Sequence, residues 1–339
     1  MSASAAEHNA ALLVLSGLGI TPEDLLTASA ERKPMPTFAT YIPKVSDAVT
    51  DGTRRVYGSY WNRILTEWPD RRLDEPSPTE IKAFAEKIKT TVVLRSNARG
   101  GHGAAEHLIA AFRCIYKHAE NDKLIKRADN PALQVDKPRR LPSTRRALGD
   151  DRLTAINHTA ATTGNDAELD ALILRLHTET AARRGGALAL RPQDLDQDQC
   201  LILLREKGET TRWQPVSPTL MGHLVRHAQQ RGGSADRQLL RYADGSPITT
   251  RRYDHLWLRI GRHLPWVAIQ GISTHWLRHT TLTWVERNFG YAVARAYAGH
   301  NDNTNDAGTT TTYVRATLEE VATALAALTD EPHPLAASG

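Results

Sequence analysis

Six side chains in the second half of the chain have the chemistry needed to cut a phosphodiester bond. Two are arginines, whose forked guanidinium groups hold the non-bridging oxygens of a phosphate in planar geometry. One is a tyrosine, which offers an oxygen nucleophile, and the other three are a lysine and two histidines, which can move protons. In chain order they are Arg183, Lys207, His275, Arg278, His300 and Tyr313. Because every cation in this set is a side chain, the set predicts phosphoryl transfer without a metal or any other cofactor.

The local sequence around each of these residues is also informative. Arg183 lies in T-A-A-R-R-G-G-A-L-A-L, and His275 and Arg278 lie in H-W-L-R-H. His300 follows Ala-Gly, and Tyr313 lies in T-T-T-T-Y-V-R-A. In this order and these contexts the residues resemble the tyrosine recombinase (phage integrase) family. The resemblance covers residues 40–328, and its specific motifs all follow residue 180.

The resemblance implies a role for each member of the set. Tyr313 would attack a phosphate held by Arg183 and Arg278, forming a 3′-phosphotyrosyl bond and releasing a 5′-hydroxyl. Lys207, at a hairpin tip, would donate a proton to the departing 5′ oxygen. The implied activity is site-specific recombination of double-stranded DNA, as in a phage or other mobile genetic element. By resemblance, four protomers would act together on two duplexes.

Three departures from the family pattern concern the geometry of the site. The family carries T-G-x-R-x-x-E-x-L-x-L around its first arginine, whereas this chain has Ala181 for the glycine and Gly186 for the glutamate. That glutamate helps to position the segment in many members. The interval from His300 to Tyr313 is also longer than usual, because it contains the polar run N-D-N-T-N-D-A-G.

Rival assignments exist for several positions. Arg184 is an alternative to Arg183. Tyr291 and Tyr297 are alternative nucleophiles, although both precede His300 and lie within an expected helix. His275 and His279 have the four-residue spacing of zinc ligands on a helix, but the glutamate of H-E-x-x-H and an evident third ligand are missing. We therefore expect His279 to pack within its helix and no metal to bind.

Charge is distributed unevenly along the chain. The net charge of the 339 residues is +5, and residues 38–140 hold 19 Lys and Arg against 13 Asp and Glu. A basic excess in one segment is typical of a domain that lies along a polyanion, although a solubilising surface charge remains an alternative.

Helical periodicity and a proline-rich stretch divide the chain into five parts. We expect a helical appendage over 1–37, a helical DNA-binding (SAM-like core-binding) domain over 38–134, a linker over 135–150, a catalytic domain over 151–330 and a tail over 331–339. The predicted fold is mainly α with a small antiparallel β-sheet. By resemblance the two domains form a C-shaped clamp around a duplex.

Local patterns predict individual elements within these domains. Apolar residues at three- and four-residue spacing from Val56 to Trp68 predict one buried helix face, and Ser77-Pro-Thr-Glu80 predicts a capped helix start. The run from Gln199 to Val216 predicts a hairpin with Lys207 at its tip. Helices are also expected over 274–288 and 291–299. A last helix with an apolar stripe follows (the stripe is Leu318, Val321, Leu325 and Leu328). By resemblance it docks on a neighbouring protomer, and packing on its own catalytic domain is the alternative.

Two further classes of protein are disfavoured. The two cysteines, Cys114 and Cys200, provide neither a disulfide framework nor a cysteine-based metal site, and suit a reducing cytoplasm. The apolar stretch over 10–20 is too short to span a bilayer and no Lys or Arg precedes it, so a short amphipathic helix is expected instead of a signal peptide or membrane anchor.

Three functions compete. The first is an integrase or resolvase, the second a type IB topoisomerase-like enzyme that relaxes supercoils without exchange, and the third a non-catalytic DNA-binding regulator. The complete set of six residues argues against the third. The apolar stripe of the last helix indicates an oligomer and so argues against the second.

Overall fold

The computed structural model describes residues 5–21, 34–91, 101–138, 145–206, 210–299 and 316–336. The chain divides into two compact units, residues 1–141 and 142–339. Lys207, His300 and Tyr313 lie outside the described residues. The finer domain limits given above remain predictions.

The first unit contains a bundle of four helices, as the sequence predicts, preceded by a short helix. Its elements are α1 (Ala5–Gly17), α2 (Phe38–Ala48), α3 (Asp51–Glu67), α4 (Pro78–Thr91) and α5 (His102–Asn121). The aromatic side chains lie in the bundle core, since Trp61 donates to the carbonyl of Ala111 and Tyr116 to that of Leu73. Val56 departs from the prediction and is 41% exposed.

Interactions between residues close in sequence or backbone position fix the starts of helices α4 and α5. The amide of Ser77 donates to Glu80 Oε2 at 2.9 Å and the amide of Glu80 donates to Ser77 Oγ, which is the predicted capping box at the start of α4. Gly101 begins α5 at φ +80°, and a Cβ there would lie 2.2 Å from the carbonyl oxygen of Lys89. This position therefore requires glycine.

The expectation for α1 is only partly correct. The segment is helical, but Leu12, Leu13 and Val14 are consecutive and all exposed. Three consecutive positions span most of a helical turn, so the apolar side chains do not share one face. The helix is therefore not amphipathic.

The second unit is mainly α with one small sheet, which confirms the predicted fold class. Its elements are α6 (Asp150–Thr162), α7 (Ala167–Thr180), α8 (Arg184–Leu188), β1 (Leu195–Asp196), β2 (Leu201–Arg205), β3 (Thr211–Pro215), α9 (Pro218–Arg231), α10 (Thr250–His263), α11 (Pro265–Gln270), α12 (Thr274–Ala298) and α13 (Leu318–Thr329). The sheet is antiparallel in the order β1-β2-β3, with Leu203 opposite Trp213. The sequence predicted the β2–β3 hairpin but missed β1, which is too short to show alternation.

Helix α7 is the centre of this unit. One of its faces is fully buried and includes Leu169, Ile173 and Leu176. The carboxylate of Asp170 is also fully buried and accepts from Arg252 Nε at 2.8 Å and from Arg259 Nη2 at 2.6 Å, both on α10. Since a buried carboxylate needs charged or polar partners, these contacts fix α10 against α7.

Helix α12 changes direction at Gly290, where φ is +85° and ψ is 171°. This confirms two helical segments at the predicted places. The first segment is fixed to α7, because Thr281 Oγ1 donates to the carbonyl of Thr178 at 2.6 Å. The second segment carries Tyr297 and ends at Gly299.

Helix α13 packs against its own unit. Val321, Ala324 and Leu325 are buried together with Val285 and Tyr297 of α12. Val321 and Leu325 of the apolar stripe therefore have their partners within the chain, and docking of the helix on a neighbouring protomer stays a prediction. Beyond the helix, Glu331 accepts from Arg175 Nη2 at 2.7 Å, which holds the following residues against α7.

A search of the described helices finds none that combines the length and the apolar character needed to cross a membrane.

Leu325→Ala should lower the free energy of unfolding by about 2–5 kcal/mol, the usual cost of truncating a fully buried leucine. Leu328→Ala, on the same helix but only partly buried, should cost clearly less. Urea unfolding of both full-length variants measures the difference. Equal and small losses would show that α13 does not occupy this position in solution.

Candidate active site

The site is built on the turn that follows α7. Ala181 lies in the left-handed region at φ +49° and its amide donates to the carbonyl of His177. This conformation explains the glycine of the family pattern, since a residue with a Cβ adopts it at a cost of about 1–2 kcal/mol. The Ala181 methyl is fully buried beside Val285 and Tyr297, which offsets part of that cost.

His177 holds the turn from inside the core. Its Nδ1 is 3.0 Å from the carbonyl oxygen of Ala182, and its Nε2 is 3.0 Å from the hydroxyl of Tyr253. Because a carbonyl can only accept, Nδ1 carries the proton and Nε2 accepts from the tyrosine. Complete burial lowers the pKa of His177 to about 4, so the ring stays neutral and its two contacts persist at neutral pH.

Arg183 follows this turn and is partly presented to solvent. Its side chain is 38% exposed, and its Nη1 donates to Glu206 Oε2 at 2.5 Å. Its backbone amide donates to the other oxygen of the same carboxylate at 2.9 Å. The rival Arg184 faces a different element, with Nη1 3.5 Å from Asp254 of α10.

Arg278 approaches the same turn from α12 and is only 5% exposed. Its guanidinium donates to the carbonyl of Ala181 and, at 2.8 Å, to that of Ala298. Both carbonyls lie at helix C-termini, where a cation is favoured. Burial, followed by the charge of Arg183, lowers the pKa of Arg278 to about 10, so it remains a cation at neutral pH.

His275 lies one turn before Arg278, on the same face of α12. The helix start is fixed because Trp257 Nε1 donates to Thr274 Oγ1 at 2.8 Å. His275 keeps much of its surface in solvent, yet the protein around it and then the charges of Arg145 and Arg278 lower its pKa. The ring is therefore neutral at pH 7 and able to accept a proton.

His279 makes a contact within its own helix, where its Nδ1 is 3.1 Å from Thr283 Oγ1. Across the described part of the chain, the structure contains no group of three or more His, Cys, Asp or Glu side chains arranged to hold a metal ion.

Two features require glycine at position 299, namely its backbone conformation and the close approach of a neighbouring side chain. Gly299 ends α12 at φ +63°, and a Cβ there would lie 2.4 Å from Cδ of Arg212 on β3. Arg212 is itself mostly buried and donates to the carbonyl of Thr180 at 3.4 Å. The end of α12 thus lies directly against the arginine that packs beneath the turn.

The rival tyrosines differ in accessibility. Tyr297 is fully buried and donates to the carbonyl of Glu179, and burial raises the pKa of its phenol. A DNA phosphate cannot reach it in this arrangement. Tyr291 is exposed and lies beyond the kink, with its hydroxyl 3.4 Å from Arg295 Nη1.

The structure therefore brings together three of the six predicted residues, namely Arg183, His275 and Arg278. The other three lie outside the described residues. Sequence reasoning missed Glu206, Arg212 and Arg145. The first of these had a signal in the sequence, because the missing glutamate at position 186 requires a carboxylate from another part of the chain.

Arg145→Gln should raise the pKa of His275 toward its ordinary value of about 6.5, because Arg145 is the charged group with the largest effect on it. Titration of the His275 ring followed by NMR measures the change. Arg146→Gln, one residue away and exposed, is the matched control and should leave the pKa unaltered. The same shift in both variants would mean that net charge, and not the position of Arg145, sets the pKa.

Comparison with known proteins identifies the family of this chain. The profile of the phage integrase family matches residues 146–320. The tyrosine recombinase XerD of Lacticaseibacillus casei is 22% identical over 207 residues, which are 59% of this chain and 69% of the relative.

Solved structures show the same fold. A lambda integrase tetramer bound to a Holliday junction superposes with a TM-score of 0.59 at 15% identity, covering 86% of this chain and 80% of that one. The Tn1549 transposon integrase in complex with circular intermediate DNA gives a TM-score of 0.61 at 15% identity, covering 83% and 95%. Since the family profile spans more than half of the 339 residues, this protein belongs to the phage integrase family, the tyrosine recombinases.

Proposed function

We propose that this protein is a site-specific DNA recombinase of the integrase type, which cleaves and rejoins double-stranded DNA through a covalent bond to Tyr313. The observation that carries the proposal is the turn over 181–183. It carries a partly exposed arginine and contacts a buried one, and the charges of both act on a neutral histidine, in a chain of this family.

The two arginines would act differently on the scissile phosphate. Arg183 keeps N–H groups toward solvent and is the one that closes on a non-bridging oxygen. Arg278 supplies a fixed positive charge from beneath, already oriented by the carbonyls of Ala181 and Ala298. Preorganised charge of this kind is usually the largest single contribution to catalysis.

Proton movement would complete the reaction. A free phenol has a pKa of about 10, so Tyr313 needs a base, and the neutral His275 can accept its proton. The phenolate oxygen bonds to phosphorus, the 5′ oxygen leaves, and Lys207 gives it a proton. The phosphotyrosyl bond is then attacked by a 5′-hydroxyl of the partner strand, so no nucleotide cofactor is consumed. His300 would assist at the same phosphate.

The DNA would be held by both units. The basic excess of residues 38–140 supplies phosphate contacts, which give affinity but little sequence information. Four protomers on two duplexes are proposed for strand exchange, in a reducing cytoplasm that suits two free cysteines. If α13 links these protomers, it must leave its packing site beside Tyr297 and pack at the equivalent site of a neighbouring protomer, as in domain swapping.

A type IB topoisomerase-like enzyme and a non-catalytic regulator remain the competing functions. A supercoil-relaxation assay beside a two-site recombination assay separates them. Recombination of two sites supports the proposal. Relaxation alone indicates the topoisomerase, and DNA binding with neither activity indicates the regulator.

Tyr313→Phe should abolish covalent trapping on a suicide DNA substrate while leaving DNA affinity nearly unchanged, because only a hydroxyl is lost. Denaturing gel electrophoresis of the protein–DNA adduct measures trapping. Tyr291→Phe is the matched control and should trap at the wild-type rate. An adduct that survives in Tyr313→Phe would place the nucleophile elsewhere.

Arg183→Gln should slow formation of the covalent complex by about 100-fold or more, the usual effect of losing a preorganised charge donor. The neighbouring variant Arg184→Gln should stay close to the wild-type rate, since Arg184 faces Asp254. Single-turnover kinetics on the suicide substrate measure both. The opposite ranking would make Arg184 the arginine that holds the scissile phosphate.

A further inference from the structure

Gly186 occupies the position at which the family pattern has a glutamate. The structure places the carboxylate of Glu206, from the end of β2, beside this position. A Cβ built on Gly186 would lie 3.2 Å from Cγ and 3.5 Å from Oε1 of Glu206. The Glu206 side chain, which follows β2, therefore fills the volume that a side chain at 186 would occupy. A side chain at 186 would therefore be in tight contact with Glu206 in its present position.

Glu206 binds Arg183 twice. One carboxylate oxygen accepts from the Arg183 amide at 2.9 Å and the other from its Nη1 at 2.5 Å. The Glu206 side chain is fully buried, and Nε of Arg212 lies 3.9 Å from its Oε2. A single carboxylate thus fixes both the backbone and the guanidinium of Arg183, so the direction of the guanidinium is set before any phosphate arrives.

The backbone of Glu206 is fixed as well. Its amide donates to the carbonyl of Thr210 at 2.8 Å, which closes the β2–β3 hairpin. Arg205, the preceding residue, is held by Asp194, with Nη2 2.7 Å from Oδ1. The carboxylate therefore projects from a rigid strand end and not from a loose loop.

We propose that Glu206 is the positioning residue for Arg183 and replaces the carboxylate that the family pattern carries at position 186. The proposal rests on the phosphate-holding role of Arg183 argued above. Without Glu206, Arg183 would face the cations Arg212 and Arg278 with no anion among them, and like charges would drive its side chain outward. Glu206 itself touches neither the substrate nor the reacting atoms.

Because Gly186 lies in the helical turn α8 without a positive φ, it can accept a side chain once Glu206 is shortened. This allows a test by moving the carboxylate. The variants are Glu206→Gln, Glu206→Ala, Gly186→Glu and the double variant G186E/E206A. Asp166→Asn is the matched control, because it removes the charge from a buried ion pair of the same unit, with Arg231, that contacts neither Arg183 nor Glu206.

The first measurement is the single-turnover rate of covalent trapping. Glu206→Gln and Glu206→Ala should slow it by about 10- to 100-fold, part of the effect of losing Arg183 itself, with DNA affinity nearly unchanged. G186E/E206A should regain most of the lost rate. Asp166→Asn should lower the melting temperature but keep the rate. In an Arg183→Gln background, Glu206→Ala should slow trapping no further, since residues that act as one unit are not additive.

The second measurement does not need activity. NMR of the arginine Nε–Hε groups in the DNA-free protein should show an ordered Arg183 in the wild type, a mobile one in Glu206→Gln and an ordered one again in G186E/E206A. If the wild type forms no Tyr313-dependent adduct but this pattern holds, the proposed function is wrong and the positioning role stands. If the wild type traps DNA and Glu206→Ala traps equally fast with Arg183 still ordered, the positioning role is overturned and the function stands. A rate that falls with melting temperature alone, without rescue by the double variant, also overturns it.

Discussion

Three arginines lie in the field of one buried carboxylate, and this electrostatic constraint governs the rest of the site. Glu206 pairs with Arg183 and lies near Arg212 and Arg278, and the pKa values of Arg212 and Arg278 are lowered by burial and by the charge of Arg183. A site with more buried cations than anions is costly when empty. Under the proposed function, the scissile phosphate would supply further negative charge to this group of cations.

The fold stabilises this group of cations because the C-termini of two helices lie beside it. The last carbonyls of α7 and α12 face Arg278, and their partial negative charges act as further counterions. The packing behind them is rigid, because the buried Asp170 ties α7 to α10 and Thr281 ties α12 to α7. The unusual left-handed Ala181 and the obligatory Gly299 mark the two places where backbone conformation is adapted to the arginines.

Burial and neighbouring charge keep both histidines of the site neutral. His275 lies among Arg145, Arg278 and Arg183, all of which favour its neutral form. His177 is neutral for a different reason, since its complete burial outweighs all other effects. One histidine is thus suited to accept a proton from a nucleophile, and the other to hold the turn that carries Arg183. The proposed phosphate-holding arginines and the proposed base therefore depend on one charge distribution.

The sequence alone determined what depends on neighbours in the chain. Periodicity predicted the four-helix bundle, the β2–β3 hairpin and both segments of α12, and a four-residue pattern predicted the cap at Ser77. Motif spacing selected Arg183, His275 and Arg278, which the structure brings together, while Lys207, His300 and Tyr313 stay predictions. Only the tertiary structure decided that Glu206 meets Arg183 across 23 positions, that Arg278 meets Ala181 across 97, and that α13 packs on its own unit. These contacts join segments distant in sequence, and local periodicity does not record which distant partner a buried charge or an apolar stripe will find.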